Sequence, residues 1–152
     1  MRDPIGTARH ELSITRIFDA PRELVFAVWV QTDHIPHWWG PRGYATLSCE
    51  VDLRPGGKWR VASRHEDGSD TAETGVIREV DAPSRLVLTH AWEDASGKPG
   101  PATIVTITFV EEDGKTKMIF HQASFDTAEA RDGHELGWNE SFDMLAEHLA
   151  EI

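Results

Sequence analysis

The sequence holds one cysteine, one tyrosine and few basic residues. Cys49 alone excludes a disulfide framework and any cysteine-based zinc or iron–sulfur site, and it fits a reducing, cytoplasmic setting. Lys and Arg number 15 against 26 Asp and Glu, for a formal charge of -11. Nucleic acid and anionic membrane are therefore not expected as partners, since both require a basic surface. No apolar run approaches the ~20 residues of a membrane span. Met1 to His10 lacks the apolar core of an export signal. There is no internal repeat, no low-complexity tract and no phosphate loop: Gly97-Lys98 is followed by Pro99 and lacks the upstream glycine.

What is present is enough for one domain. The chain has 152 residues, 39% of them hydrophobic and 27% charged. At this length folding buries roughly 68–70% of the unfolded chain's surface without help from a disulfide or a metal. Six tryptophans stand out. Each needs a large apolar slot and a partner for its indole N–H.

Residues 1–9, with Pro4 and Gly6, read as a flexible tail, and 10–152 as a single domain. Alternation over His10 to Phe18 gives a strand. Asp19-Ala20-Pro21 opens a helix, with Glu23 in its first turn and an apolar stripe of Leu24, Val25, Val28 and Trp29. A second short helix holds Ile35, His37, Trp38 and Trp39, and Gly40-Pro41 ends it.

From Ala45 to Phe125 the period changes to two. Six strands follow: one with Leu47, Cys49 and Val51 in phase, one with Trp59, Val61 and Ser63, then Thr74–Val80, Leu86–Trp92, Thr103–Val110 and Thr116–Ser124. Asp113-Gly114 marks a tight hairpin. Consecutive strands joined by short turns give an antiparallel meander. The last element is a helix over about Asp126 to Ile152, with Trp138, Phe142, Leu145, Leu149 and Ile152 on one face.

The expected fold is α+β: a curved antiparallel sheet of seven strands wrapped around a long C-terminal helix, with two short helices after the first strand. Such a sheet and a straight helix cannot touch everywhere, and the space between them suits an apolar ligand.

The order and spacing of several short motifs resemble a known family. They are Asp19-Ala20-Pro21, Trp38-Trp39-Gly40-Pro41, Pro55-Gly56-Gly57, Asp67-Gly68, Gly75 with Glu79-Val80, Pro83-Ser84-Arg85-Leu86-Val87-Leu88, and Gly137-Trp138 with Leu145 and Leu149. Across residues 10–152 the chain resembles the START-related, birch-pollen-allergen-like (SRPBCC) superfamily of helix-grip domains. More narrowly, it is similar to bacterial relatives of the C-terminal domain of the heat-shock-protein-90 ATPase activator. The resemblance implies a cavity and a range of functions: lipid or small-molecule binding, polyketide cyclisation, chaperone interaction.

The candidate lining residues are Trp59, His90, Trp92, Met118, Phe120, Trp138 and Phe142, with Trp38 and Trp39 near the entrance. Alternation along Leu86, Leu88, His90 and Trp92 turns His90 and Trp92 inward. On a neighbouring strand Met118, Phe120 and Gln122 turn inward and His121 outward. For any single tryptophan, core packing is the simpler reading. For His90, a buried neutral ring is simpler than a catalytic base.

His34-x-x-His37 lacks a third ligand nearby in sequence, and His134-Glu135 has Trp138 where a zinc protease has its second histidine, so no metal is expected. Glu50, Asp52 and Glu93 sit near strand ends, and none is singled out as an acid–base group. Cys49 reads as core. The expected function is binding of a small, largely apolar, aromatic or lipid-like molecule without a cofactor. A chaperone-associated interaction module, or a cyclase or hydrolase using a cavity histidine or acid, are the alternatives. The alternative partners are a chaperone or a second copy of the chain.

Overall fold

The computed structural model describes residues 10–152, and the tail expected over 1–9 lies outside them. The elements run β1 (Leu12–Phe18), α1 (Arg22–Val30), a 3-10 turn (Ile35–His37), β2 (Tyr44–Val51), β3 (Lys58–His65), β4 (Asp70–Asp81), β5 (Arg85–Trp92), β6 (Thr103–Glu112), β7 (Lys115–Ala123) and α2 (Ala128–Glu151). The strands form one antiparallel sheet in the order β1-β7-β6-β5-β4-β3-β2. It curls as a half-barrel, and α2 lies across its concave face. No helix among the described residues is long and apolar enough to cross a membrane.

Local chemistry explains the elements. The carbonyl of Pro21 accepts the first two bonds of α1, from the N–H groups of Leu24 and Val25. Val25, Phe26, Val28 and Trp29 are buried, and Leu24 is only partly so. The second short helix is a single 3-10 turn, with Pro36 in its first positions. Asp113 and Gly114 both take positive φ, at 53° and 80°, as a two-residue hairpin between Glu112 and Lys115 requires. Thr127 caps α2 by accepting from the Ala130 N–H at 3.1 Å.

Two expectations fail, one at a bulge inside β2 and one at the end of α2. Leu47 is 50% exposed, whereas Cys49 is half-buried and packs against the core. A bulge between Thr46 and Ser48 shifts the register of edge strand β2 against β3, so Leu47 leaves the phase of its neighbours. Ile152 is 59% exposed, because it follows the last helical residue and lies past the edge of the sheet's core. The remaining stripe of α2, Trp138, Phe142, Leu145 and Leu149, is buried as expected.

The core is aromatic. Trp29 on α1 is at its centre, with ring centroids of Trp38, Phe142, Trp138, Phe120 and Trp39 at 4.7, 6.0, 6.1, 6.2 and 6.3 Å. Beneath it runs a buried polar chain. The Trp138 indole donates to Gln122 Oε1 at 2.7 Å, Gln122 Nε2 donates to Thr103 Oγ1 at 2.8 Å, and the Thr103 hydroxyl donates to the His90 carbonyl at 3.2 Å. Gln122 is fully buried and satisfied at both ends of its amide.

Candidate functional site

The space between α2 and the sheet is mostly filled by the protein's own rings. What remains open is a cleft of about 240 Å³ at one end. Its walls come from Trp39, Gly40, Pro41 and Tyr44 after the 3-10 turn, Glu73 on β4, His90 and Trp92 on β5, and one face of α2. That face presents Gly133, Gly137 and Ser141, one helical turn apart. A methyl group at Gly137 would lie 3.7 Å from the Pro41 ring, and one at Gly133 would meet nothing within 4 Å. The absence of larger side chains on this face of α2 leaves the space between the helix and Pro41 open. Above them on the helix, Phe142 and Leu145 close the interior completely.

The expected lining residues fall into three groups. Trp39, His90, Trp92 and Trp138 line the cleft. Trp59 is buried behind it and lines a separate void of about 20 Å³ with Trp29 and Ile77. Trp38, Met118, Phe120 and Phe142 are fully buried and do not reach the cleft. They face inward, as alternation and helical spacing indicate, but at a level where the sheet and helix are in contact. β7 is separated from β5 by β6, so its inward residues lie farther from His90 than adjacent strands would place them. His121 is half-exposed, and it faces away from the core.

Trp92 has moved from interior to rim: it is 41% exposed. Its indole N–H donates to Nε2 of His134 at 3.0 Å, across the mouth of the cleft. Nδ1 of His134 in turn donates to the Ala130 carbonyl at 2.7 Å. Both ring nitrogens are used, which fixes a neutral ring protonated at Nδ1.

Glu73 lies outside the strand expected over Thr74–Val80. β4 starts at Asp70, and Glu73 shares the inward phase of Gly75 and Ile77. That phase was the available signal. Its side chain is 13% exposed, its Oε2 accepts the Trp39 indole N–H at 2.7 Å, and Oε2 lies 3.5 Å from His90 Nε2. His90 is 2% exposed. None of the hydrogen bonds among the described residues ends on its ring. The other acids have plainer roles. Glu93 forms a two-bond ion pair with Arg60, at 2.8 and 3.0 Å, that holds its carboxyl below the ordinary range. Glu50 and Asp52 lie on the outer edge around β2.

A second histidine cluster lies away from the cleft. His34 Nδ1 and His148 Nε2 are 2.9 Å apart, and His37 stacks on His148 with ring centroids 4.5 Å apart. α2 thus supplies the third histidine that the sequence alone did not place beside His34 and His37. Among the described residues no group of three His, Cys, Asp or Glu is arranged to hold a metal ion.

Burial lowers the affinity of His134 for a proton, and His90 nearby adds to the effect. Burial, His37 and His34 do the same for His148. A histidine held neutral by the fold contributes stability that is present above the unfolded value and is lost as pH falls through the folded one. Melting temperature is therefore expected to be level above pH 7 and to fall as pH drops below 6.5, the ordinary histidine value. The measurement is a set of thermal melts down to about pH 5, which stays above the range where exposed carboxylates titrate. An unchanged melting temperature across that interval would contradict it. A His134→Gln variant, which keeps an acceptor for Trp92, is expected to lose part of the slope.

Comparison with known proteins agrees with this architecture. The family model described as "Activator of Hsp90 ATPase homolog 1-like protein" matches residues 19–150. A solved AHSA1 protein from Silicibacter pomeroyi is similar at 26% identity and a TM-score of 0.83, over 92% of this chain and 97% of that one. A protein from Arthrobacter aurescens has 24% identity and a TM-score of 0.84, over 93% and 87%. One from Nitrosomonas europaea has 24% identity and a TM-score of 0.80, over 95% and 97%. At these identities the likeness speaks to the fold. No match was found among curated proteins.

Proposed function

Since the chain belongs to the activator of Hsp90 ATPase homolog 1-like family, whose helix-grip fold is compatible with several activities, the site must decide, and we propose that it binds a small, ring-containing, largely apolar molecule in the cleft. The observation that carries this reading is the contrast within one interior. The space between α2 and the sheet is filled wherever large side chains are available, yet α2 presents glycine, glycine and serine opposite Pro41 and Trp39. A dry apolar cavity of about 150 Å³ accepts benzene. The 240 Å³ here suits a molecule of one or two rings. Aromatic walls with a few converging polar groups are the usual composition of a small-molecule site.

The test is a titration with indole and 2-naphthol as neutral probes. Binding is expected to raise the melting temperature and to change tryptophan emission, because Trp39, Trp92 and Trp138 are all wall residues. Gly137→Leu fills the cleft from the helix side. It should abolish both responses and leave the fold intact, since leucine is the better helix former by about 1 kcal/mol. A folded Gly137→Leu protein that still responds, or a wild-type protein that responds to neither probe, contradicts the reading.

A further inference from the structure

The electrostatics of the cleft are one-sided. Glu73 is 13% exposed, and no Lys or Arg lies within ion-pair distance of it among the described residues. No Lys or Arg among the described residues lines the cleft. Arg60, on the neighbouring strand, is engaged with Glu93. Oε2 of Glu73 is occupied by the Trp39 N–H and faces His90, while Oε1 receives no hydrogen bond among the described residues. A carboxylate largely withdrawn from water with no Lys or Arg beside it is costly, and a positively charged ligand relieves that cost. An anionic ligand would find no cation here and would add to the cost.

The walls are suited to the same charge. Trp39, Tyr44, Trp92 and Trp138 surround the space, and aromatic rings attract a cation through their negative faces. His134 cannot serve as a donor to a ligand, because both its nitrogens are already bonded. The whole chain carries a formal charge of -11, which draws cations toward it.

We propose that the cleft takes a small organic cation, an aryl- or alkyl-substituted ammonium, with its charge beside Glu73 and its apolar body among Trp39, Trp92 and Trp138. This deepens the binding reading above and rests on it. Lipid carboxylates and phosphate esters are excluded as preferred ligands by the same charge arrangement.

Three probes of closely similar shape separate the possibilities by calorimetry: phenyltrimethylammonium, its neutral isostere tert-butylbenzene, and the anion benzenesulfonate. The cation is expected to bind at least tenfold tighter than tert-butylbenzene, with no binding of benzenesulfonate. In Glu73→Gln, whose amide oxygen still accepts from Trp39, the ratio of cation to neutral affinity should fall several-fold, the aromatic walls keeping the remaining preference. Equal binding of cation and neutral isostere by the wild type, or an unchanged ratio in Glu73→Gln, overturns the proposal while leaving the binding reading standing. Binding of none of the three probes, together with silence toward indole and 2-naphthol, overturns both.

Discussion

Gly75→Ala is expected to destabilise the protein by about 2–6 kcal/mol, from two costs that act together. A Cβ at this position would stand 1.8 Å from the Thr89 carbonyl oxygen and 2.5 Å from the Trp59 indole nitrogen. The first neighbour is backbone and cannot step aside without moving β5. The second is the donor of a bond that the position exists to accommodate. The Thr89 carbonyl accepts the Trp59 N–H at 2.9 Å, and its hydroxyl accepts the Val76 N–H at 2.9 Å. The ladder between β4 and β5 is thus rerouted, and the large indole crosses over the glycine. Overpacking contributes about 1–3 kcal/mol, and an indole N–H and carbonyl left buried without each other contribute a similar amount. Urea denaturation measures the sum. Gly133→Ala is the control: it meets no atom within 4 Å, lies inside α2, and should be neutral or stabilising. A Gly75→Ala midpoint equal to that of wild type would refute the close approach.

The second large effect is at the centre of the aromatic core. Trp29→Ala is expected to cost about 3–5 kcal/mol, the range for removing a fully packed large ring. Trp29 is 4% exposed and touches rings from the 3-10 turn, β7 and α2 at once. A finer comparison isolates the role of the indole nitrogens. The Trp29 N–H is buried without a partner among the described residues. The Trp38 N–H, by contrast, donates at 2.9 Å to the Val28 carbonyl in the last turn of α1, where helical partners run out. Trp38→Phe should therefore lose about 1–3 kcal/mol more than Trp29→Phe, the cost of leaving that carbonyl unsatisfied. Equal losses would show that the end of α1 does not depend on the indole.

The sheet was legible because period two is a strong signal when one face is buried and turns carry Gly, Pro, Ser and Asp. All seven strands follow from it, and the long helix follows from the steps of four and three between Trp138, Phe142, Leu145 and Leu149. What spacing reports is which way a side chain points, not how far the opposite layer stands from it. Met118, Phe120 and Phe142 therefore read like His90 and Trp138, although the first three are in the packed interior and the last two face the cleft. The difference is made across the gap, by Gly133, Gly137 and Ser141, whose small size has no periodic signature of its own. Glu73 was hidden for another reason. An acid at a strand end looks solvated, and its shared phase with Gly75 and Ile77 counts only once β4 is known to begin at Asp70. Leu47 shows the limit of alternation itself, since a single bulge reverses the faces beyond it.

The pairing of β1 with β7 has a kinetic consequence. Leu12 lies opposite Gln122, about 110 residues later in the chain. During synthesis the first strand emerges with its only sheet partner not yet made, while β2 to β6 can pair as successive hairpins. Long-range pairing of this kind closes slowly. The cleft is subject to the same delay, because one of its walls is α2, the last element to appear. Binding competence should therefore arise in the final step of folding. A probe held by Trp39, His90 and Trp138 would report completion of the native state, not collapse of the meander.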